Sequence, residues 1–318
     1  MMVQPQHIVL VSGGKDSAAV AALALARVPR DRVHLVFCDT GNEHVQTYRY
    51  LDQLAEHFGL PIAHVKADFA AEFATRRENI ARDARVGRDK KGRKKRWSNR
   101  RKRDALSVLQ PTGNPFLDLC LLYGAFPSRA VRFCTRRLKV ELMAEHLLGL
   151  REQSPIVVWQ GVKRADSAER SQLPRFERYA NGWYLFRPVL DWTHEQVFAF
   201  LRGQGVPINP LYGSGFSRVG CGPCLYARKS EIALLSDQYP EQIARIRECE
   251  RLVSLACKTG FAAFFGPRDI PVTPRTVRTR TAIDGVVRWA RVDFRKNKSA
   301  VYEDVFGETC SAGMGVCE

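Results

Sequence analysis

Along the first two thirds of the chain, short unbroken apolar runs alternate with stretches in which apolar residues return every three or four positions. The runs are Ile8 to Val11, Arg32 to Thr40 (RVHLVFCDT), 61–69 (PIAHVKADF), Ser154 to Val162 (SPIVVWQGV) and Trp183 to Leu190 (WYLFRPVL), and they read as five buried strands. The alanine-rich KDSAAVAALALARV after the first run reads as a buried helix. EHVQTYRYLDQLAEHFG sets Val45, Tyr48, Leu51, Ala55 and Phe58 on one helical face and stops at Gly59, and TRRLKVELMAEHLLGL is a further helical region. Strands alternating with helices predict an α/β fold, a parallel five-stranded sheet with helices on both faces. Ligands of such sheets lie at the carboxyl ends of the strands, where Ser12, Asp39 and Gly161 fall.

After DWTHEQVFAFLRGQGVPINPLYGSGF the pattern turns to glycine, proline and cysteine, then to the helical SEIALLSDQYPEQIARIRECERLVSLACK. A boundary near Gly205 divides a sheet-bearing domain, 1–205, from a smaller, mostly helical, cysteine-containing region, 206–318. No apolar run is long enough to span a bilayer and the N-terminus lacks the pattern of a secretory leader, so a cytoplasmic protein is expected.

Charge changes the picture at one place. The chain carries a formal +17, and RDKKGRKKRWSNRRKR (88–103) holds eleven Lys or Arg against one Asp, within an insertion at 86–104. Such a segment with one aromatic, Trp97, suits contact with a nucleic-acid backbone, DNA or RNA; a solvated insertion without a partner is the alternative.

SGGKDS follows the first strand and opens the first helix. Gly13 and Gly14 allow a tight turn with N–H groups facing an anion, the helix adds its positive end, Lys15 a mobile cation, and Ser12 and Ser17 hydroxyl donors. Neither the Walker nor the Rossmann spacing is matched, and a bare tight turn remains the alternative.

The loop resembles the PP-loop of the adenine nucleotide alpha-hydrolase superfamily. CDTGNEHVQTYRYLDQL, RFCTRRLKVEL, GVKRADSAER, RPVLDWTHEQVFAFL and NPLYGSGFSRVGCGPC, in this order, narrow the resemblance to the phosphoadenosine phosphosulfate reductase-like family, near the phosphorothioation protein C of the Dnd system. The resemblance implies a PP-loop nucleotide-binding domain in which Ser12, Gly13, Gly14, Lys15, Asp16 and Ser17 hold phosphate or sulfate. Asp39, Thr40 and Gly41 would line the nucleotide site, and Gly161, Lys163, Ser167 and Arg170 would close over the phosphates; Lys15, Asp16, Lys163 and Arg170 are the catalytic candidates. Lys163 and Asp166 stand where the family usually has Arg and Glu, and a lysine is a point charge rather than a bidentate fork.

GCGPC offers Cys221 and Cys224 as half of a metal site. The resemblance adds Cys134, although Phe133 stands where adenylyl-sulfate reductases have a second cysteine, and Cys317, or alternatively Cys310, completes the set. Ligation by four thiolates suits Zn2+ or [4Fe–4S], of which the cluster is preferred. Cys38, Cys249 and Cys257 read as core thiols, and Cys120 as either core or site. Two activities follow from the resemblance: an ATP pyrophosphatase, using ATP with Mg2+, that adenylates a nucleic acid for sulfur insertion, with a cysteine desulfurase or thiol reductant as partner; or a sulfonucleotide reductase that makes sulfite. The chain ends GVCE rather than in the reductases' E-C-G-x-H segment, which favours the first. A binding protein without chemistry is the third reading.

Overall fold

A computed structural model describes residues 4–294 other than 91, 93–94, 152–153, 180–181, 267–269 and 271. The chain divides into two compact units, one of Met1–Asp39, Glu43–Lys66 and Arg137–Gly222, the other of Thr40–Asn42, Ala67–Arg136 and Pro223–Glu318.

The first unit is built on a six-stranded sheet: β1 (Gln6–Leu10), β2 (Val33–Cys38), β3 (Ile62–Val65), β4 (Ile156–Trp159), β5 (Phe176–Arg178) and β6 (Tyr184–Phe186), in the order β3-β2-β1-β4-β6-β5. The five expected strands are present and mutually parallel. The sixth, β5, runs antiparallel against β6 with Phe176 opposite Phe186; its three residues are too few to show a period, so the sequence pattern does not reveal it.

Alternation along the strands sorts side chains between two cores. Val9, Leu35 and Phe37 join one with Ala18, Ala21, Leu51 and Leu54, whereas Ile8, Val36, Ile156 and Val158 join the other with Met143 and Leu147. Burial on both faces is why these strands read as continuous apolar runs. The helices concerned are α1 (Lys15–Arg27), α2 (Val45–Phe58) and, later in the chain, one at Glu141–Arg151. Helix α2 ends at Gly59, left-handed with φ 58°. Its buried face is Thr47, Tyr50, Leu51, Leu54 and Phe58, rotated from the expected stripe. Val45 is exposed, and Tyr48 turns its hydroxyl to Asp39.

The second unit is helical among its described residues: α3 (Ala70–Ala81), α4 (Asn99–Val108), α5 (Pro115–Tyr123), then, numbering Glu141–Arg151 as α6 and His194–Gly203 as α7 of the first unit, α8 (Lys229–Gln238), α9 (Pro240–Ala256) and α10 (Ile283–Phe294). Pro240 at the start of α9 separates it from α8, as proline in a first turn does. Helix α9 packs against α4, α5, α8 and α10. No helix among the described residues is long and apolar enough to cross a membrane.

The basic insertion is pinned at both ends within this unit. The Asp83 carboxylate accepts from the Trp97 N–H at 2.7 Å and from Arg85 Nε at 2.6 Å, and the Arg85 guanidinium holds that carboxyl well below the usual carboxylate range. Lys102 Nζ donates to the carbonyls of Ala81 and Asp83, both at 2.9 Å. Trp97 is only 5% exposed, so its ring anchors the segment from within.

Glu250 in the middle of α9 is a second internal anchor: Oε1 accepts from the Phe264 N–H and Oε2 from the Ile283 N–H, each at 2.9 Å. Glu250→Ala leaves two buried donors unsatisfied and is expected to cost about 2–4 kcal/mol, read by chemical denaturation. Burial pushes the Glu250 carboxyl up from 4.5 to about 7. The folded state thus holds this proton more tightly than the unfolded chain, so the group's contribution is greatest below 4.5 and declines as pH rises through about 7. The stability difference between wild type and Glu250→Gln should shrink across that window; a difference constant with pH contradicts the assignment.

Candidate nucleotide site and the cysteines

The glycine loop lies between β1 and α1, at the carboxyl edge of the sheet. Gly13 has φ +77°, and a Cβ there would stand 2.4 Å from Thr47 Cγ2, so both conformation and space require glycine. Gly161 follows β4, the parallel neighbour of β1; a Cβ on it would lie 2.8 Å from the backbone at Asp16 and Ser17. The glycine of GVKRADSAER therefore lets the β4 strand end touch the loop.

Within the loop, Ser17 is buried and closes the turn. Its hydroxyl donates to the Gly14 carbonyl at 2.8 Å and accepts from the Ser12 N–H at 3.1 Å. Ser12 is exposed. From NPLYG, Asn209 Nδ2 donates to the Gly13 carbonyl at 3.0 Å, and the Tyr212 hydroxyl accepts from the Lys15 N–H at 3.1 Å.

Two lysines converge on one carboxylate. Lys15 Nζ is 3.2 Å from Asp16 Oδ2, and Lys163 Nζ is 3.3 Å from Asp16 Oδ1. Lys15 also lies over the Phe198 and Tyr212 rings, 5.6 and 5.4 Å from their centroids. Burial depresses the Lys15 ammonium below its ordinary value, although Asp16 opposes the shift. Lys163 is 1% exposed and reaches His194 Nδ1 at 2.8 Å. Burial and the two lysines hold His194 below the usual imidazole range, which fits a neutral ring accepting from the Lys163 ammonium. His194 starts α7, whose first turn is fixed by a capping box: Thr193 Oγ1 accepts from the Gln196 N–H at 3.2 Å and Gln196 Oε1 from the Thr193 N–H at 2.8 Å.

The remaining expected residues are disposed less uniformly. Arg170 is half-exposed and its Nη1 donates to Asp166 Oδ2 at 2.7 Å. The Ser167 hydroxyl accepts from the Arg170 N–H at 3.3 Å, capping the turn Ala168–Ser171. Asp39 is buried at the end of β2, where Oδ1 accepts from the Tyr48 hydroxyl at 2.7 Å and Oδ2 lies 3.0 Å from Lys66 Nζ; His44 caps α2, its Nδ1 accepting from the Gln46 N–H. Thr40 and Gly41 belong to the second unit, where the Thr40 carbonyl accepts from the Phe116 N–H at 2.8 Å and the Gly41 carbonyl from Asn114 Nδ2 at 2.7 Å. His194, Asn209, Tyr212 and Phe198 carry no distinct chemical signature in the sequence. The Thr193-x-x-Gln196 box is the available sign that His194 heads a helix.

Cys221 pairs through its backbone with Glu43, and Cys224 opens the turn to Ala227, whose N–H reaches its carbonyl at 2.9 Å. Cys134 sits in the short turn Phe133–Thr135. Among the described residues no group of three or more His, Cys, Asp or Glu that could hold a metal ion is gathered, and Cys310 and Cys317 lie outside the described residues. Cys120 and Cys249 are buried, with thiols pushed up by desolvation. Burial likewise raises the Cys38 thiol to about 11, so none of these three is poised as a thiolate at neutral pH. Cys257 caps α9, its sulfur 3.1 Å from Thr259 Oγ1, at the helix end rather than inside it.

The chain is 42% identical over 298 residues to the "uncharacterized 37.8 kDa protein in gpa 5′ region" of Escherichia phage 186, an alignment covering 91% of this chain and 86% of that one. It is 37% identical over 106 residues to adenosine 5′-phosphosulfate reductase of Allochromatium vinosum, covering 33% of this chain and 39% of that protein. A phosphoadenylyl-sulfate reductase from Candida auris, solved as a phosphate complex, is similar at 17% identity with a TM-score of 0.42, over 69% of this chain and 82% of that one. Residues 6–227 match the phosphoadenosine phosphosulfate reductase domain, and the chain belongs to that family of nucleotide-using enzymes.

Proposed function

We propose that this enzyme grips the polyphosphate of ATP with its glycine loop and adenylates a nucleic acid, preparing it for sulfur insertion. The observation that carries the reading is the Lys15–Asp16–Lys163 arrangement. Two ammonium groups share the Asp16 carboxylate at the glycine loop, which concentrates positive charge there. An incoming polyphosphate, entering with its Mg2+, takes both cations from Asp16. The same cations stabilise the charge that grows on pyrophosphate as an oxygen of the nucleic acid attacks the α-phosphorus. Neutral His194 accepts from Lys163 and orients its ammonium. A persulfide sulfur delivered by a cysteine desulfurase then displaces AMP, and a thiol reductant supplies the two electrons that cleave its S–S bond and leave the sulfur on the nucleic acid.

The polymer substrate is supported by the anchored basic segment. Trp97 and Lys102 are committed to holding it, and the exposed Arg96, Arg100 and Arg103 would face phosphates, Arg100 in exchange for Asp104, whose Oδ2 lies 4.0 Å from its Nε. The similarity to an adenosine 5′-phosphosulfate reductase over a third of the chain favours a second reading, reduction of a sulfonucleotide to sulfite.

Pyrophosphate release dependent on DNA or RNA is the test. Lys163→Met should lower it on the order of 10²–10³-fold, with only partial recovery in Lys163→Arg, whose planar fork replaces a point charge. Sulfite formed from adenylylated sulfate and a thiol, without nucleic-acid-dependent pyrophosphate, would replace this reading with the second one.

Replacing Arg96, Arg100 and Arg103 by alanine should weaken binding across all sequences and reduce the log–log salt slope by roughly 2–3. Lys102→Ala should instead lower thermal stability. An unchanged salt slope in the triple variant removes the case for a polymer.

The [4Fe–4S] assignment rests on Cys134, Cys221, Cys224 and Cys317 or Cys310. Anaerobically purified protein should then show broad visible charge-transfer absorbance that is lost in Cys221→Ser and Cys224→Ser; a colourless protein with bound zinc would decide for Zn2+.

A further inference from the structure

The second unit contains a cavity of about 260 Å3 between the turn after Cys224, the start of α8 and the middle of α10. From its lining we infer that it is a binding site for a single nucleotide unit of the nucleic acid, and this inference rests on the polymer-substrate reading above. The floor is apolar, with Phe265 and Val286. Two half-buried aromatic rings, Tyr226 and Trp289, form walls. The rim carries Arg129, Arg228 and Lys229.

The cations and rings are already matched. The Arg129 guanidinium lies 5.4 Å from the Tyr226 ring centroid, and Lys229 Nζ lies 4.6 Å from that of Trp289. A cation thus lies over each ring, so a base would stack on the planar Arg129 guanidinium or on an uncovered ring face while the cations hold its phosphate. The N-terminal end of α8 is not the source of this affinity, because Glu231 Oε2 already accepts from the Arg228 N–H at 2.9 Å. The three side chains supply the positive charge instead. The volume falls below the ~300–1,000 Å3 of ordinary ligand clefts, which suits one ring with its anionic group and not a whole ATP. Tyr226 lies inside the turn that Cys224 opens, so the stacked nucleotide and that thiol share one turn of chain.

The test uses the full chain carrying Lys15→Ala, so that nucleotides held at the glycine loop do not contribute. Labelled single-stranded DNA and RNA oligonucleotides are titrated by anisotropy, and AMP and inorganic phosphate by tryptophan fluorescence. Arg129→Ala/Lys229→Ala and, separately, Tyr226→Leu should weaken oligonucleotide binding about tenfold. AMP should quench saturably, with the quench lost in Trp289→Phe. Oligonucleotide binding unchanged in both pocket variants overturns the pocket and leaves the polymer reading standing. A Trp289-dependent AMP quench without any oligonucleotide binding keeps the pocket for a free nucleotide and overturns the polymer reading. Equal quenching by inorganic phosphate shows that no ring is recognised and overturns the pocket, and binding of none of these probes overturns both.

Discussion

A lysine ammonium enclosed as fully as that of Lys163, which is 1% exposed, needs an opposing charge close by. Asp16 supplies that charge, and it can do so only because the β4 strand end approaches the loop closely enough for a Cβ at position 161 to collide with the backbone. Much of the first unit follows from this approach. The parallel pairing of β1 with β4 sets the two strand ends side by side, Gly161 removes the steric barrier, and the lysine two residues later turns inward to the loop. His194 accepts from the same ammonium on the other side, and Tyr212 and Asn209 brace the loop from behind. Two cations thus share one anion at the loop.

The strands and the glycine turn are legible in the sequence because their signals are local: continuous apolar runs for strands buried on both faces, and a Gly-Gly pair where the backbone must turn. What the sequence hides depends on distant partners. The buried face of α2 takes in Thr47 and Tyr50, while Tyr48 turns its hydroxyl to Asp39, a contact invisible to helical periodicity. Trp97, in a run of cations, reads as a surface aromatic; Asp83, fourteen positions earlier, draws the chain in by its N–H. His194 stands within a motif of the family without a role of its own, because only the fold sets it against Lys163. The second unit is likewise assembled from residues 67–136 and from residues beyond 222, and composition marks only the later stretch.

The anchored insertion also bears on how a basic segment is read. Of its cations, Lys102 commits its hydrogen bonds to two backbone carbonyls, so formal charge overstates what is available to a partner. Rigid presentation compensates in part, since side chains projecting from a pinned helix such as α4 lose less freedom on binding than those of a loose tail.

The short strand β5 has a consequence of another kind. A parallel sheet ending at β6 would leave a row of unpaired amides open to a further strand, from this chain or from another copy. By turning back over three residues, β5 occupies that row, and the buried Arg187 guanidinium ties Glu177 of β5 to the residue just after β6 at 2.9 Å. The hairpin serves as a terminator: it caps the sheet's growth at one margin with a segment too brief to template a neighbour. Protection of this kind is most valuable while the chain is emerging and its long-range parallel pairs are still incomplete.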